Sequence, residues 1–364
     1  MSNTAGDTKP DHTEANTAVP RVSPAPSRGD VLRGMLIGRL SAAGGPLAGL
    51  VVLCVVLAFS SQYFLTYRNE ANIIDQVAVI GVMAVGQTLV IITGGIDLSV
   101  AAVLTLSAMV MAWTYKTEGL PLWTAMLAGL AVGAGVGYVN GLLITYGKLQ
   151  PFIATLGTLS VTTGLALMVT NAQTLNGFPN WFLNITTGTV AGIQIELLIL
   201  IIIFGAVAFY LRYRPGGRAL YAIGGAEEVA RLSGIAVRRS KILAYTMSGL
   251  SGAIGGIIVT SRLNSAQPVA STTDLLSVIA AVVIGGATLT GGAGSMTQTA
   301  VGMLIIGTVN DGLALLNVSS NVQQVILGLV IIAAVMSDQL KGKVQLSRLL
   351  PGKRSSVSSG SRTG

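Results

Sequence analysis

Histidine and cysteine are almost missing from this chain: 364 residues hold one of each. His12 lies in a polar stretch near the N-terminus and Cys54 in an apolar run. A single cysteine makes no internal disulfide, and Cys54 reads as a packing residue. Imidazole-based metal sites and Ser-His-Asp chemistry have nothing to be built from. No catalytic residue, metal ligand or cofactor is therefore expected. Charge is also scarce. Only 10% of residues are charged, against about 25% in soluble globular proteins. That deficit excludes an ordinary soluble enzyme.

What is present is apolar. The hydrophobic share is 51% and the mean hydropathy +0.71. Apolar runs recur from Pro46 to Met336, which excludes a soluble body on one anchor. At about 20 residues per crossing, the sequence predicts an all-α polytopic membrane protein of about ten transmembrane helices (8–10). The spans read as Pro46–Leu65, Val77–Thr93, Asp97–Trp113, Pro121–Tyr146, Pro151–Thr170, Ile193–Leu211, Ile242–Thr260, Leu275–Leu289, Thr299–Leu316 and Val322–Met336. The eighth is short and runs into glycines, so a half-span or re-entrant segment is open there. Residues 1–40 read as a disordered cytoplasmic tail, 41–340 as the transmembrane domain, and 341–364 as a cytoplasmic C-terminal tail.

Charge placement sets a direction. With the N-terminus inside, 19 of the 22 Lys and Arg residues fall in cytoplasmic tails or loops. Only Arg68, Lys116 and Arg262 fall outside. Such a bias orients polytopic proteins with the positive side in the cytoplasm. Both termini and the 212–241 loop are thus expected inside. The net charge of +8 points to orientation and anionic lipid rather than to nucleic acid.

Glycine-rich breaks are expected near 94–95 and 285–294. Ile91–Ser99 and Val283–Thr290 echo one another, and transporters often carry repeats with broken helices at matching positions. Gly129, Gly133 and Gly137 form small-xxx-small pairs, read as close helix packing.

Intramembrane polar residues are few. Asp97 follows Gly94 and Gly95 and is placed to cap the next helix. Asp311 follows Asn310 inside the ninth span. Carboxylates at such depth have a partner or a task. Gln87, Asn140, Thr155 and Thr158 add neutral groups that suit either a hydroxyl-rich solute or helix–helix hydrogen bonds. Gln87, Gly94, Gly95, Asp97, Asn140, Asn310 and Asp311 are the candidates for a translocation pathway or a helix break.

In the 212–241 loop, Ala226 to Ser233 reads as a short helix ended by Gly234. Ala226, Val229, Ala230 and Ser233 share one projected face, and Glu227 and Arg231 form an i,i+4 pair. The helix is either a solvated turn or a knob for a soluble partner. The chain contains no G-x-x-x-x-G-K-[ST] phosphate loop, so ATP-driven transport would need its motor on another chain.

Four stretches, Gln87–Val100, Gly216–Gly225, Ala230–Ile235 and Ile279–Ser295, resemble the ribose-type permease subunits of bacterial ATP-binding-cassette importers. The resemblance covers about Phe64 to Asp338. It implies a passive subunit in the bacterial plasma (inner) membrane. Its implied partners are two ATP-binding subunits, a second permease copy or homologue, and an extracytoplasmic solute-binding protein. The implied cargo is a pentose, hexose or related solute. Glu228, Ala230 and Gly234 match the family's coupling motif, with Val229 in place of its first alanine. Ala226, Glu228, Val229, Ala230 and Gly234 are thereby implied to couple the chain to the ATP-binding subunit. The competing reading is an ion-coupled secondary transporter, which needs titratable partners at the midplane that this chain lacks.

Overall fold

A computed structural model describes residues 28–269 and 274–349, with side chains from residue 44 onward except for 334, 335 and 337–349. The chain divides into two units, Met1–Ser41 and Ala42–Gly364. Of the first, only the opening turns of helix α1 are described. That helix begins at Arg28, inside the stretch assigned to the tail from the sequence. The rest of that tail and residues 350–364 lie outside the described residues.

Ten of the thirteen described helices overlap the ten stretches read as spans, with ends that differ by up to eighteen residues at α1. They are α1 (Arg28–Ser60), α2 (Tyr67–Ile92), α3 (Val100–Lys116), α4 (Leu122–Thr145), α5 (Pro151–Val169), α7 (Ile195–Tyr213), α10 (Val237–Leu263), α11 (Asp274–Ile284), α12 (Met296–Leu315) and α13 (Ser320–Leu349). Among the described residues, five helices are by themselves long and apolar enough to cross a membrane: α2, α4, α5, α7 and α10. Between them lie α6 (Asn180–Thr187), α8 (Pro215–Gly225) and α9 (Glu227–Leu232). Four two-residue strands pair as β1 (Leu175–Asn176) with β4 (Ser265–Ala266), and β2 (Thr189–Val190) with β3 (Ile193–Gln194), all antiparallel.

Helix α2 is the centre of the larger unit. Every residue from Val77 to Ile92 is buried, against α10, α12, α11 and α7. Outer helices show the reverse pattern. Val51, Val55 and Phe59 on α1, Phe152 and Val161 on α5, and Ile201 and Ile202 on α7 are exposed. Large apolar side chains facing outward suit a lipid solvent.

Glycine sets the tightest packing. On α4, a Cβ at Gly133 would stand 2.6 Å from the Gly249 carbonyl oxygen of α10, and one at Gly141 would stand 2.7 Å from the Ile242 Cα. Gly133, Gly137 and Gly141 therefore bring the two backbones together, as small residues do in membrane helices, while Gly129 lies against the Ser107 carbonyl of α3. Gly135, on the same helix, faces open space.

The segment between α5 and α7 was not read as structured from the sequence. It carries α6 and packs through aromatics. Phe178 stacks on Tyr115 with ring centroids 5.8 Å apart and meets Phe182 at 5.3 Å. The Asn264 side-chain oxygen accepts from the Phe178 N–H at 2.8 Å, and Ser261 Oγ donates to the Phe182 carbonyl at 2.7 Å. This end of the molecule is called the far end below. The opposite end, where α2 and α11 stop, is the glycine end.

Candidate functional site

Two helices stop short at the glycine end by the same device. At the end of α2, Gly94 N–H donates to Ile91 O (2.9 Å) and Gly95 N–H to Val90 O (3.2 Å). At the end of α11, Gly286 N–H donates to Val283 O (2.9 Å) and Ala287 N–H to Val282 O (3.2 Å). Gly94 and Gly286 have φ of +78° and +103°, where a Cβ is strained. The echo seen in the sequence is therefore also an echo of backbone hydrogen bonding, at the same offset along the chain. The chain is non-helical from Thr93 to Ser99 and from Gly285 to Ser295.

Asp97 occupies the first break and is 1% exposed. Its Oδ1 accepts from Ser99 N–H (2.9 Å) and Ser99 Oγ (2.6 Å). Its Oδ2 accepts from Ser248 Oγ at 2.7 Å. The residue before α3 is Ser99, whose side chain makes no capping bond. Asp97 thus closes an Asx-type turn just ahead of the helix and ties it to α10, instead of capping α3 directly. The network continues outward. Asn140 Nδ2 donates to Ser99 Oγ (2.9 Å), Thr158 Oγ1 donates to Asn140 Oδ1 (2.6 Å), and Thr155 Oγ1 donates to the Ile96 carbonyl (3.2 Å). Four helices, α3, α4, α5 and α10, are joined at one buried carboxylate. Burying that group demands such partners.

The other pathway candidates lie elsewhere. Gln87 is buried on α2, and neither amide atom finds a partner among the described residues. Asp311 sits at the far end, accepting from Asn69 Nδ2 at 2.8 Å. Asn310, beside it, has a buried Oδ1 with no partner among the described residues. Two acids at span ends were passed over in the sequence. Glu196 is fully buried, and Asp75 lies against it with Arg262 nearby. The available signal was Glu196's position inside the sixth span.

Helices α8 and α9 carry the third glycine segment onto both breaks. Gly292 N–H donates to the Ile92 carbonyl at 2.9 Å, and Tyr221 of α8 donates to the Gly294 carbonyl at 2.9 Å. A Cβ at Gly291 would stand 2.7 Å from Gly94 N and 3.1 Å from Gly224 Cα. A Cβ at Gly292 would stand 3.1 Å from Gly225 Cα. Three segments distant in sequence, 94–95, 224–225 and 291–292, meet backbone to backbone.

Helix α9 follows directly, and its faces differ from the projection. Ala230 is 3% exposed, rooted against Ile223, Val237 and Ile235. Ala226, Val229, Leu232 and Ser233 face outward, with Val229 62% and Leu232 76% exposed. Glu227 pairs with Lys241 at 2.6 Å, and Arg231 pairs with Glu228. The expected Glu227–Arg231 pair does not form, because the chain folds back and offers Lys241 to Glu227. The bond and charge from Arg231 hold the Glu228 carboxyl below the usual range. Gly234 turns the chain out of α9 at φ +82°.

A family profile described as "Branched-chain amino acid transport system / permease component" matches residues 69–335. The chain is 44% identical over 299 residues to the ribose import permease protein RbsC of Bacillus subtilis, covering 82% of this chain and 92% of that protein. It is 41% identical over 302 residues to RbsC of Escherichia coli K12, covering 81% and 93%. It is 36% identical over 293 residues to the D-allose transport system permease protein AlsC of the same organism, covering 80% and 90%. No solved structure gives a significant match.

Proposed function

Since the chain belongs to the permease-component family of branched-chain amino acid transport systems, among whose relatives stand ribose and allose permeases, we propose how it works within a sugar importer. It is the membrane-spanning permease subunit of an ATP-binding-cassette sugar importer in the bacterial inner membrane. It is not itself an enzyme, since ATP hydrolysis belongs to a separate subunit. An ATP-binding subunit and a solute-binding protein are its partners.

The finer assignments are proposals. Two ATP-binding subunits and a second permease complete the complex. Both termini and the glycine end face the cytoplasm, on the Lys and Arg bias. The face of α9 formed by Ala226, Val229, Leu232 and Ser233 docks on the ATP-binding subunit, with Glu228 held by Arg231 at its edge. Ala230 roots the helix, and Gly234 ends it. One observation carries this reading: the contact of α8 with both helix breaks. A push on α9 travels through α8 to Gly224, and from there to Gly94 and Gly291, with no compressible side chain between. Movement at both breaks then alters α2, α3, α11 and α12 together. Gly94, Gly95, Asp97 and Asn140 are assigned to the moving break and Gln87, on α2, to the path leading from it; Asn310 and Asp311 lie at the far end of that path.

Reconstitution tests the reading. The permease is placed in vesicles with its ATP-binding subunit, and uptake of D-ribose and D-allose is measured. Uptake is expected to require ATP and the solute-binding protein and to ignore an imposed proton or sodium gradient. Uptake driven by the gradient without ATP overturns it.

A further inference from the structure

At the far end, a cavity of about 420 Å³ opens between the start of α2 and the ends of α10 and α12. Its polar lining is Asn69, Asn72, Asp75, Gln76, Arg262 and Asp311. A chain with so few charged residues gathers three of them here, beside three amides. Part of this set is a frame. Asn69 donates to Asp311 and also to the Phe64 carbonyl (3.2 Å), which ties α12 to α2. Arg262 of α10 donates to the Asp75 backbone carbonyl. The remaining groups are the Asp75 carboxylate and the amides of Asn72 and Gln76. Positions 69, 72 and 76 lie on one face of α2, at the helical i, i+3, i+7 spacing.

The chemistry of that set is specific. A carboxylate accepts from two neighbouring hydroxyls, a guanidinium donates in a fork, and an amide does both. Together they match a solute that presents several hydroxyls in a ring. The volume falls within the roughly 300–1,000 Å³ of small-molecule sites. Behind Asp75, Glu196 is fully buried with its carboxyl against that of Asp75. The wall on that side is therefore polar to a second layer. Helix α2, which starts at this cavity, ends at the glycine junction, so one rigid element joins the two ends.

We infer that this cavity is the acceptor site at which the permease takes a neutral polyhydroxy solute from the solute-binding protein. Asn72 and Gln76 bond its hydroxyls, and Asp75 and Arg262 hold a vicinal pair. The inference rests on the importer reading above and adds the place where the cargo enters.

The test uses the complete reconstituted complex, with radiolabelled D-ribose and D-allose as probes. Asn72→Leu and Gln76→Leu are each expected to lower uptake at least tenfold. Assembly with the ATP-binding subunit and co-sedimentation of the solute-binding protein are expected at wild-type levels. Wild-type uptake in the double variant overturns the inference while leaving the importer reading intact. Loss of binding-protein co-sedimentation also overturns it, because the surface is then a protein dock. A second measurement covers failure to assemble. Gln76→Cys in a Cys54→Ala background is labelled by an impermeant maleimide. Sugar-loaded binding protein is expected to slow labelling more than the sugar-free form does. Equal protection by the two forms overturns the inference. ATP-independent uptake by the wild-type complex fails the importer reading itself.

Discussion

Asp97 shows how one carboxylate is kept at membrane depth. Three donors reach it: the Ser99 N–H, the Ser99 hydroxyl and the Ser248 hydroxyl. The hydroxyls can turn to other acceptors, but the Ser99 N–H cannot. Asp97→Asn keeps an oxygen for Ser99, and its amide can donate to Ser248 Oγ. That variant is expected to fold and to melt within about 1 kcal/mol of wild type. Asp97→Leu strands a buried N–H, at about 1–3 kcal/mol, and cuts the link to α10. Thermal unfolding in detergent, followed by size-exclusion chromatography, separates the two; equal stability of the Leu and Asn variants contradicts the network. The importance of position 97 was legible in the sequence, because an acid after two glycines inside an apolar run has few roles. Its partner Ser248 was not legible. It lies 151 residues away, and a serine in a glycine-rich helix carries no mark of its own.

Among the elements, α8 is the one with the most consequential surroundings. Its last two residues are both glycine, yet only one is hemmed in. A Cβ at Gly224 would collide with Ile92 O and Gly292 N, whereas one at Gly225 meets nothing within 4 Å. Gly224→Ala must separate α8 from both breaks, an overpacking cost of about 1–3 kcal/mol. It is expected to reduce ATP-driven uptake severalfold or more, with ATP hydrolysis by the partner subunit continuing. Gly225→Ala is expected to transport normally. Equal uptake by the two variants refutes transmission through the junction. Helix α9 allows a similar contrast. Leu232→Asp changes an outward side chain and is expected to weaken co-purification with the ATP-binding subunit while leaving thermal stability within about 0.5 kcal/mol. Ala230→Trp drives a large ring into the packing with Ile223 and Val237 and is expected to destabilise the loop itself. The existence of a short helix here was readable over Ala226 to Ser233, and the helix runs Glu227–Leu232. Its inward face was not, since a helical projection gives relative directions only. The side that is buried depends on where the loop folds back, and Lys241 and Val237 decide that.

For the molecule as a whole, apolar run length was the strongest signal, because lipid leaves a spanning backbone no choice but to bond to itself. Each of the ten stretches overlaps a helix, and five of those helices are long and apolar enough to cross a membrane among the described residues. Helix α6 escaped notice because it is short and held by a side chain distant in sequence, Ser261, which bonds Phe182 and Thr186. Orientation is argued differently, from the distribution of Lys and Arg, and the fold supplies an internal constraint on it. Gly94, Gly224 and Gly292 meet at one end, while Asn69, Asp75, Arg262 and Asp311 gather at the other. If the 212–241 loop is cytoplasmic, the breaks are cytoplasmic too, and Arg262 is external with the cavity. One labelling experiment therefore orients every element at once. In a Cys54→Ala background, Asn72→Cys is expected to react with an impermeant maleimide added to intact cells, and Ser233→Cys only after the membrane is opened. Both positions are exposed, so silence from either is not a matter of burial. Reaction of Ser233→Cys in intact cells would turn the molecule over, place the α9 face away from ATP, and remove the physical basis for coupling through α8.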